Sequence, residues 1–299
     1  MLIYEITENP TFDKCNFVES PVTFQKIRPS RFSFFTSLRI ATECKHKTPA
    51  AILTYNLTDT IAAVSARELR KDDQPLFPIF MYVQHMTSLP KSIPSKIAKN
   101  LSGMIFETES EKKRWESVRN FEEIEYKAVI PTPAQFEQLN IKSTFRAKSL
   151  SDLTIGYIGP IANGLTLKTH LEKAGRLDTD NQPLILVAGT AKARFIMPIV
   201  KRAKANKLNI NWLGDDMAMN EIIEQIDAFI PSGEALSTIE KQALANGIPQ
   251  IEMTELESLL DEETRNAYSL SSKELYNTMF KEKIVADKFK NLIIEAHQS

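Results

Sequence analysis

Residues 226–249 read IDAFIPSGEALSTIEKQALANGIP. An apolar run closes in Pro231, Ser232 and Gly233. Leu236, Ile239, Ala243 and Leu244 then recur at helical spacing, and Gly247 with Pro249 stops the pattern. The stretch therefore predicts strand, tight turn, helix, stop. Glu234 stands in the turn, and at the rise of a helix Gln242 follows about 12 Å further along the axis.

The same alternation extends to both sides. In the second half, residues 153–158, 183–188, 208–213, 226–231 and 247–252 predict strands. Residues 165–174, capped by Gly175, then 192–205 and 219–225 predict helices between them, and residues 272–297 predict one or two terminal amphipathic helices. In the first half the strands are expected at residues 2–6, 50–55, 77–83, 103–107 and 126–130, with helices at 56–71 and 109–118. The connection through Pro10, Pro21 and Pro29 shows no clear element. Pro131, Pro133 and the polar run to Ser151 predict a hinge. The expected division is a domain at 1–147 and a second at 148–299, the latter carrying the terminal helices. Repeated strand–helix alternation implies an α/β fold of two Rossmann-like domains facing a cleft, with ligands beyond the carboxyl ends of the parallel strands. His85 follows the 77–83 strand and lies at such an end. It reads either as a chemical residue or as a polar loop residue.

Composition narrows the classes. The chain has 299 residues, 42% hydrophobic and 25% charged, enough for two globular domains. Residues 1–150 hold 21 Lys/Arg against 17 Asp/Glu, and residues 151–299 hold 16 against 21, a split of +4 and −5. That asymmetry is too small to argue for nucleic acid and allows only a mild preference of the first half for an anionic surface or acceptor. Two cysteines, Cys15 and Cys44, predict neither a disulfide scaffold nor a thiolate metal site. Without a leader pattern or an 18-residue apolar run, the expected location is cytoplasmic. One stretch qualifies this. In RFSFFTSLRIATECKHK, Phe32, Phe35, Leu38 and Ile40 form a helical stripe bordered by Arg31 and Arg39. It reads either as a helix packed on a sheet or as an interfacial helix at the inner face of a membrane.

Taken together, these segments resemble the retaining, nucleotide-sugar-dependent glycosyltransferases of the GT-B fold, family 4 type. The resemblance spans roughly residues 50–255. TIGYIGPIANG matches the opening strand of the family's second domain, and NWLG its Leu-Gly step. IDAFIPSGE with QALANGIP matches the acidic residue, the Pro-Ser, the first Glu and the Ala-x-Ala-x-Gly-x-Pro frame. In the first half, YNLTDTIAAVSAREL, the strand before His85, the Gly103 strand and VIPTP have counterparts. The resemblance implies a hexosyltransferase-type enzyme with no cofactor, moving sugar from a nucleotide diphosphate sugar to a glycan or lipid-linked acceptor in surface polysaccharide biosynthesis. It places Glu234 and His85 at the donor sugar as catalytic residues. Gly159 and the N–H groups around Leu236, Ser237 and Thr238 would face the phosphates, Gln242 the ribose, and Gly214 to Met217 the base. Each also has a plain alternative: Glu234 a helix-start carboxylate, Gln242 a solvated side chain, Gly214 a turn.

The sequence also departs from the family. Pro160 and Asn163 stand where its Arg and Lys clasp the diphosphate, Gln242 replaces its second Glu, and Ala235 replaces a Gly. Its first-domain Gly-rich loop and last Gly-Gly turn are absent. Lys168, Lys192 or Arg194 are the candidates to restore positive charge at the leaving group. If none does, the alternative is a catalytically inactive GT-B-like protein that binds or stabilises a partner glycosyltransferase. No metal is expected. The Asp178 and Asp180 pair falls in a polar turn, not at a strand end.

Overall fold

A computed structural model describes residues 1–9, 11–12, 22–69, 77–84, 88–134, 138–139, 141, 147–159, 165–174, 181–189, 193–205, 207–214, 219–233 and 235–298, with backbone alone at 165–166, 193–195 and 219. Two compact units result: residues 1–135 with 279–299, and residues 136–278.

The first unit runs β1 (Leu2–Ile6), β2 (Thr23–Ile27), α1 (Ser33–His46), β3 (Ala51–Thr54), α2 (Leu57–Leu69), β4 (Ile79–Val83), α3 (Ser95–Ala98), β5 (Gly103–Phe106), α4 (Glu109–Trp115) and β6 (Tyr126–Val129). The sheet order is β2-β1-β3-β4-β5-β6, and every pairing is parallel. Such a sheet is covered on both faces, because strands joined by crossovers carry apolar side chains up and down alike. On one face Ile52, Ile79, Met81 and Met104 pack with Ile40 and Cys44 of α1, Ala63 of α2 and Trp115 of α4. On the other face, Ile3, Phe24, Leu53, Phe80, Tyr82 and Ile105 need a separate cover.

That cover is the last helix. The second unit runs β7 (Thr154–Ile158), α5 (Leu165–Ala174), β8 (Leu184–Ala188), α6 (Ala193–Ala205), β9 (Ile210–Gly214), α7 (Met219–Ile223), β10 (Ala228–Pro231), α8 (Thr238–Ala245), a 3-10 segment Met253–Leu260 and α9 (Glu262–Leu275). A π-helical segment Tyr276–Phe280 leads to α10 (Glu282–Gln298). Val285, Phe289 and Ile293 of α10 belong to the core of the first unit, with the Phe289 ring 4.9 Å from Phe12 and 5.4 Å from Phe24. Tyr126 Oη donates to the Glu295 carbonyl at 3.1 Å, and a His297 ring nitrogen meets the Ala50 carbonyl at 3.0 Å.

The terminal helices therefore do not all belong to the second domain, as the sequence division at 147/148 had them. The unclothed face of the first sheet draws the final one back, and the division by packing falls at 135/136 and 278/279. Two further elements differ. The strand at 23–27 arises inside the connection left unassigned, as the edge partner of β1. The strand expected at 247–252 shrinks to a single bridge from Phe229 to Gln250. Pro249 has no N–H to donate, and the 3-10 segment begins at Met253. The second sheet has the order β10-β7-β8-β9, all parallel. Among the described residues no helix is long and apolar enough to cross a membrane.

Phe289 is 1% exposed. Phe289→Ala is expected to destabilise the first unit by about 3–5 kcal/mol, the range for emptying a packed aromatic site. Urea unfolding followed by circular dichroism reads this directly, and an unchanged midpoint would show that α10 is dispensable to that sheet.

Candidate functional site

In both sheets the strand order reverses once, between β1 and β3 in the first and between β7 and β10 in the second. Crossovers leave such a point in opposite directions, which opens a crevice beyond the carboxyl ends of the two strands. The chemistry of each unit is therefore sought there.

Along the carboxyl edge of the second sheet, three of the four strands end in or are followed by a glycine at positive φ. Gly159 follows β7 at φ 129°, Gly189 follows β8 at φ 140°, and Gly214 ends β9 at φ 73°. Gly159 N–H donates to the Ala188 carbonyl and Gly189 N–H to the Gly214 carbonyl, so the three chain turns are stitched side by side. A methyl group on Gly189 would sit 1.8 Å from the Gly159 carbonyl oxygen, and one on Gly159 would sit 2.6 Å from Ser232 Oγ and 2.8 Å from Ser237 Oγ. Only hydrogen fits at either place, and the positive φ excludes side chains independently. The turns after β7 and β8 thus meet backbone to backbone, and the Ser232 and Ser237 side chains close directly on Gly159.

Ser237 is the N-cap of α8 and forms a capping box with Glu240. The Glu240 carboxylate, fully buried, accepts from Ser232 N–H at 2.6 Å, from Ser237 N–H at 2.6 Å and from Ser237 Oγ at 2.6 Å. Burial pushes the Glu240 pKa up, while the hydrogen bonds from Ser237 and Ser232 pull it back. The folded value lies above the unfolded one. The stability Glu240 contributes is therefore complete below its ordinary 4.5 and lost as pH rises through the folded value. Tyr157 Oη donates to the Ser232 carbonyl at 3.4 Å from within the sheet.

The first unit's switch point has a buried acid of its own. Glu5 in β1 is fully buried, and its carboxylate accepts from the N–H groups of Thr11 and Phe12 at 2.9 and 3.0 Å and from Tyr55 Oη. Gln84 at the end of β4 donates to Thr11 Oγ1 at 3.1 Å. The loop after β1 is thus fixed by a side chain, where the resembled family has a Gly-rich turn. Burial, then the Glu5 charge, raises the Tyr55 pKa well above 10.0.

The sequence-predicted residues divide as follows. Gly159, Leu236, Ser237 and Thr238 gather at the β7/β10 crevice, and Gly214 joins the same edge through Gly189. Gln242 is 6% exposed in the middle of α8, a buried side chain and not the solvated one. Ser237 N–H is directed at Glu240 and not outward, a correction to its expected role as a phosphate donor. The groups that remain are those of Thr238 and Ile239, which open α8 and have no intrahelical acceptors by construction. Lys168 is exposed, pairs with Glu172 at 3.7 Å, and lines a cavity of about 410 Å³ with Pro198 and Arg202, so it joins the flank of α5 and α6 instead of the crevice. Glu234, His85, Met217, Lys192, Pro160, Asn163, Asp178 and Asp180 lie outside the described residues, as does the side chain of Arg194.

Sequence reasoning missed Gly189 and Glu240. Both had signals: a glycine ending the 183–188 strand as Gly159 ends the 153–158 strand, and the Ser237-x-x-Glu240 box. It also missed Glu5, Tyr55 and Gln84, which carry none. A larger cavity, about 1050 Å³, lies within the second unit at the opposite edge, by Thr154 and Leu184 at the strand starts, with Gly247, Arg265 and Lys273. The switch-point rule places the chemistry at the carboxyl edge, away from it.

No protein-family model matches the chain, and no curated protein matches it by sequence. Solved structures do match. A glycosyltransferase from Rickettsia africae has a TM-score of 0.69 at 10% identity, covering 99% of this chain and 98% of that one. Sucrose-phosphate synthase from Thermosynechococcus elongatus has a TM-score of 0.67 at 9% identity, covering 99% of each chain. HepE of Anabaena, in complex with UDP and glucose, has a TM-score of 0.61 at 9% identity, covering 98% and 99%. At such identities the likeness is one of fold: this chain has the two Rossmann-like units of GT-B glycosyltransferases.

Two outcomes follow. Glu240→Ala leaves the Ser232 and Ser237 donors without their acceptor and is expected to cost about 2 kcal/mol, of the order of one buried unsatisfied group, read by thermal unfolding. The neutral Tyr55 phenol contributes stability that is complete below pH 10.0 and is lost as pH rises through its raised folded value. Between neutral and strongly alkaline pH, the unfolding midpoint of Tyr55→Phe should therefore fall less than that of the wild type. Parallel curves would contradict the assignment.

Proposed function

We propose that the protein is a retaining glycosyltransferase of the family 4 type. It moves a hexosyl group from a nucleotide diphosphate sugar to a glycan or lipid-linked acceptor in surface polysaccharide biosynthesis. The observation that carries this reading is the β7/β10 crevice, where Gly159 lies against Ser237 at the amino end of α8. The absent side chain lets the start of α8 close against the end of β7, and that helix N-terminus supplies N–H groups and a positive dipole end to a diphosphate lying beyond it. The fold shared with HepE, whose structure holds UDP and glucose, supports a nucleotide sugar as donor.

In this reading Thr238 and Ile239 offer their N–H groups to the phosphates, Gly214 and Met217 lie near the base, and Gln242 serves the ribose. Glu234 and His85 act at the donor sugar. Bond cleavage leaves negative charge on the diphosphate, so the step is mainly electrostatic. Lys192 and Arg194 take the place of the cations that Pro160 and Asn163 do not provide.

A second reading has one observation in its favour. The Glu240 carboxylate already occupies the N–H donors of Ser232 and Ser237, which a phosphate would otherwise use. A catalytically silent protein that stabilises a partner glycosyltransferase would keep that arrangement without cost.

Calorimetric titration with UDP, GDP and their common sugar derivatives separates the two. The transferase reading expects a dissociation constant in the micromolar range for one nucleotide class. Glu234→Ala should weaken it about tenfold, equivalent to about 1.4 kcal/mol. Absence of heat with every nucleotide would end that reading and leave the silent one.

A further inference from the structure

The amino end of α1 carries the most exposed group of aromatic side chains among the described residues. Phe32 and Phe34 are each 61% exposed, Phe35 56% and Leu38 41%. The three rings stand against one another, Phe32 to Phe35 at 6.3 Å and Phe34 to Phe35 at 5.8 Å between centroids. The inward side of the helix is satisfied separately, by Thr36, Ser37, Ile40, Ala41 and Cys44. These phenylalanines are therefore not part of the core of their unit. They are confined to one end, because beyond Leu38 the outward positions are Arg39, Thr42, Lys45 and His46.

The chain that forms this tip carries charge of one sign. Residues 25–42 contain Lys26, Arg28, Arg31 and Arg39 and no Asp or Glu. The first turn of α1 has no acidic residue, and its N-cap is Phe32, which has no side-chain acceptor to offer the first N–H groups. A helix start normally draws Ser, Thr, Asp or Asn at the cap and acids in the first turn. Here the cap is Phe32, preceded by Arg31, and the first turn is Ser33, Phe34 and Phe35. The α1 helix follows β2 directly, so its amino end lies at the carboxyl edge of the first sheet, the edge that holds the Glu5 and Tyr55 switch point.

We propose that this tip, Phe32, Phe34, Phe35 and Leu38 with the exposed Arg28, Arg31 and Arg39 of the same segment, docks the first unit on an anionic lipid bilayer. Aromatic rings enter the boundary between headgroups and acyl chains, arginines hold lipid phosphates, and the N–H groups of the first turn are supplied with acceptors by the same phosphates. A second copy of the chain fits less well. A symmetric contact through this tip would set the same arginines against each other with no acid in residues 25–42 to offset them. The inference stands apart from the transferase reading, since a silent protein could dock in the same way.

The test is sedimentation of the full chain with vesicles of phosphatidylcholine alone and of equimolar phosphatidylcholine and phosphatidylglycerol. The wild type should bind the anionic vesicles at least tenfold more tightly than the neutral ones, and raised salt should weaken that binding. Phe32→Ser/Phe34→Ser/Phe35→Ser and Arg28→Glu/Arg31→Glu should each lose at least tenfold, with unfolding midpoints unchanged because the substituted side chains are exposed. Phe34→Trp should show a blue-shifted emission only with anionic vesicles. Equal binding to both vesicles, retained binding by the triple variant, or no sedimentation would each overturn the proposal. So would a concentration-dependent dimer that the triple variant abolishes while vesicles bind neither form.

Discussion

The constraint on which the molecule depends is that a parallel sheet has no face for water. In the first unit, helices α1 to α4 cover one side of six strands, and the other would be bare without α10. The chain meets the requirement by returning after the whole second unit has been formed, so residues separated by more than two hundred positions share one core. Once both faces are closed by helices, only the edges of the sheets are open to ligands. The carboxyl edge is the one where each strand delivers a loop to the next helix. The two switch points and the tip of α1 lie at these edges for that reason.

At the second switch point the same logic reaches atomic scale. Gly159 and Gly189 are set by contact, since the nearest atoms leave room for hydrogen alone. Their neighbours Ser232 and Ser237 are set by Glu240, a buried acid that ties the end of a strand to the start of a helix. The first switch point is built in parallel fashion, with Glu5 tying the end of β1 to the loop that follows it. In both units a carboxylate carries out backbone positioning that glycine-rich turns could do alone.

Much of this was legible in the sequence where it is local. The stretch at 226–249 fixed its own strand, turn and helix, and Gly247 does stop α8, with φ 82°. The strands at 2–6 and 103–106 were readable as short apolar runs. The strand at 23–27 was not, because TFQKI at a sheet edge alternates in burial and carries a weak apolar signal. The fate of the terminal helix depended on which sheet face lacked cover, and that is invisible until six strands are placed. The Glu5, Tyr55 and Gln84 group was hidden for the same reason, its members being up to 79 positions apart along the chain. The capping box at Ser237 and Glu240 was local and could have been read.

In the proposed function, a nucleotide diphosphate binds at the β7/β10 carboxyl edge. The cavity at the amino edge, beside Thr154 and Asp227, is the competing place within the same unit. A crystal structure of the chain grown with UDP tests this most directly. The diphosphate is expected beyond Gly159, against the N–H groups that open α8. A nucleotide seated instead among Asp227, Gly247, Arg265 and Lys273 would contradict it.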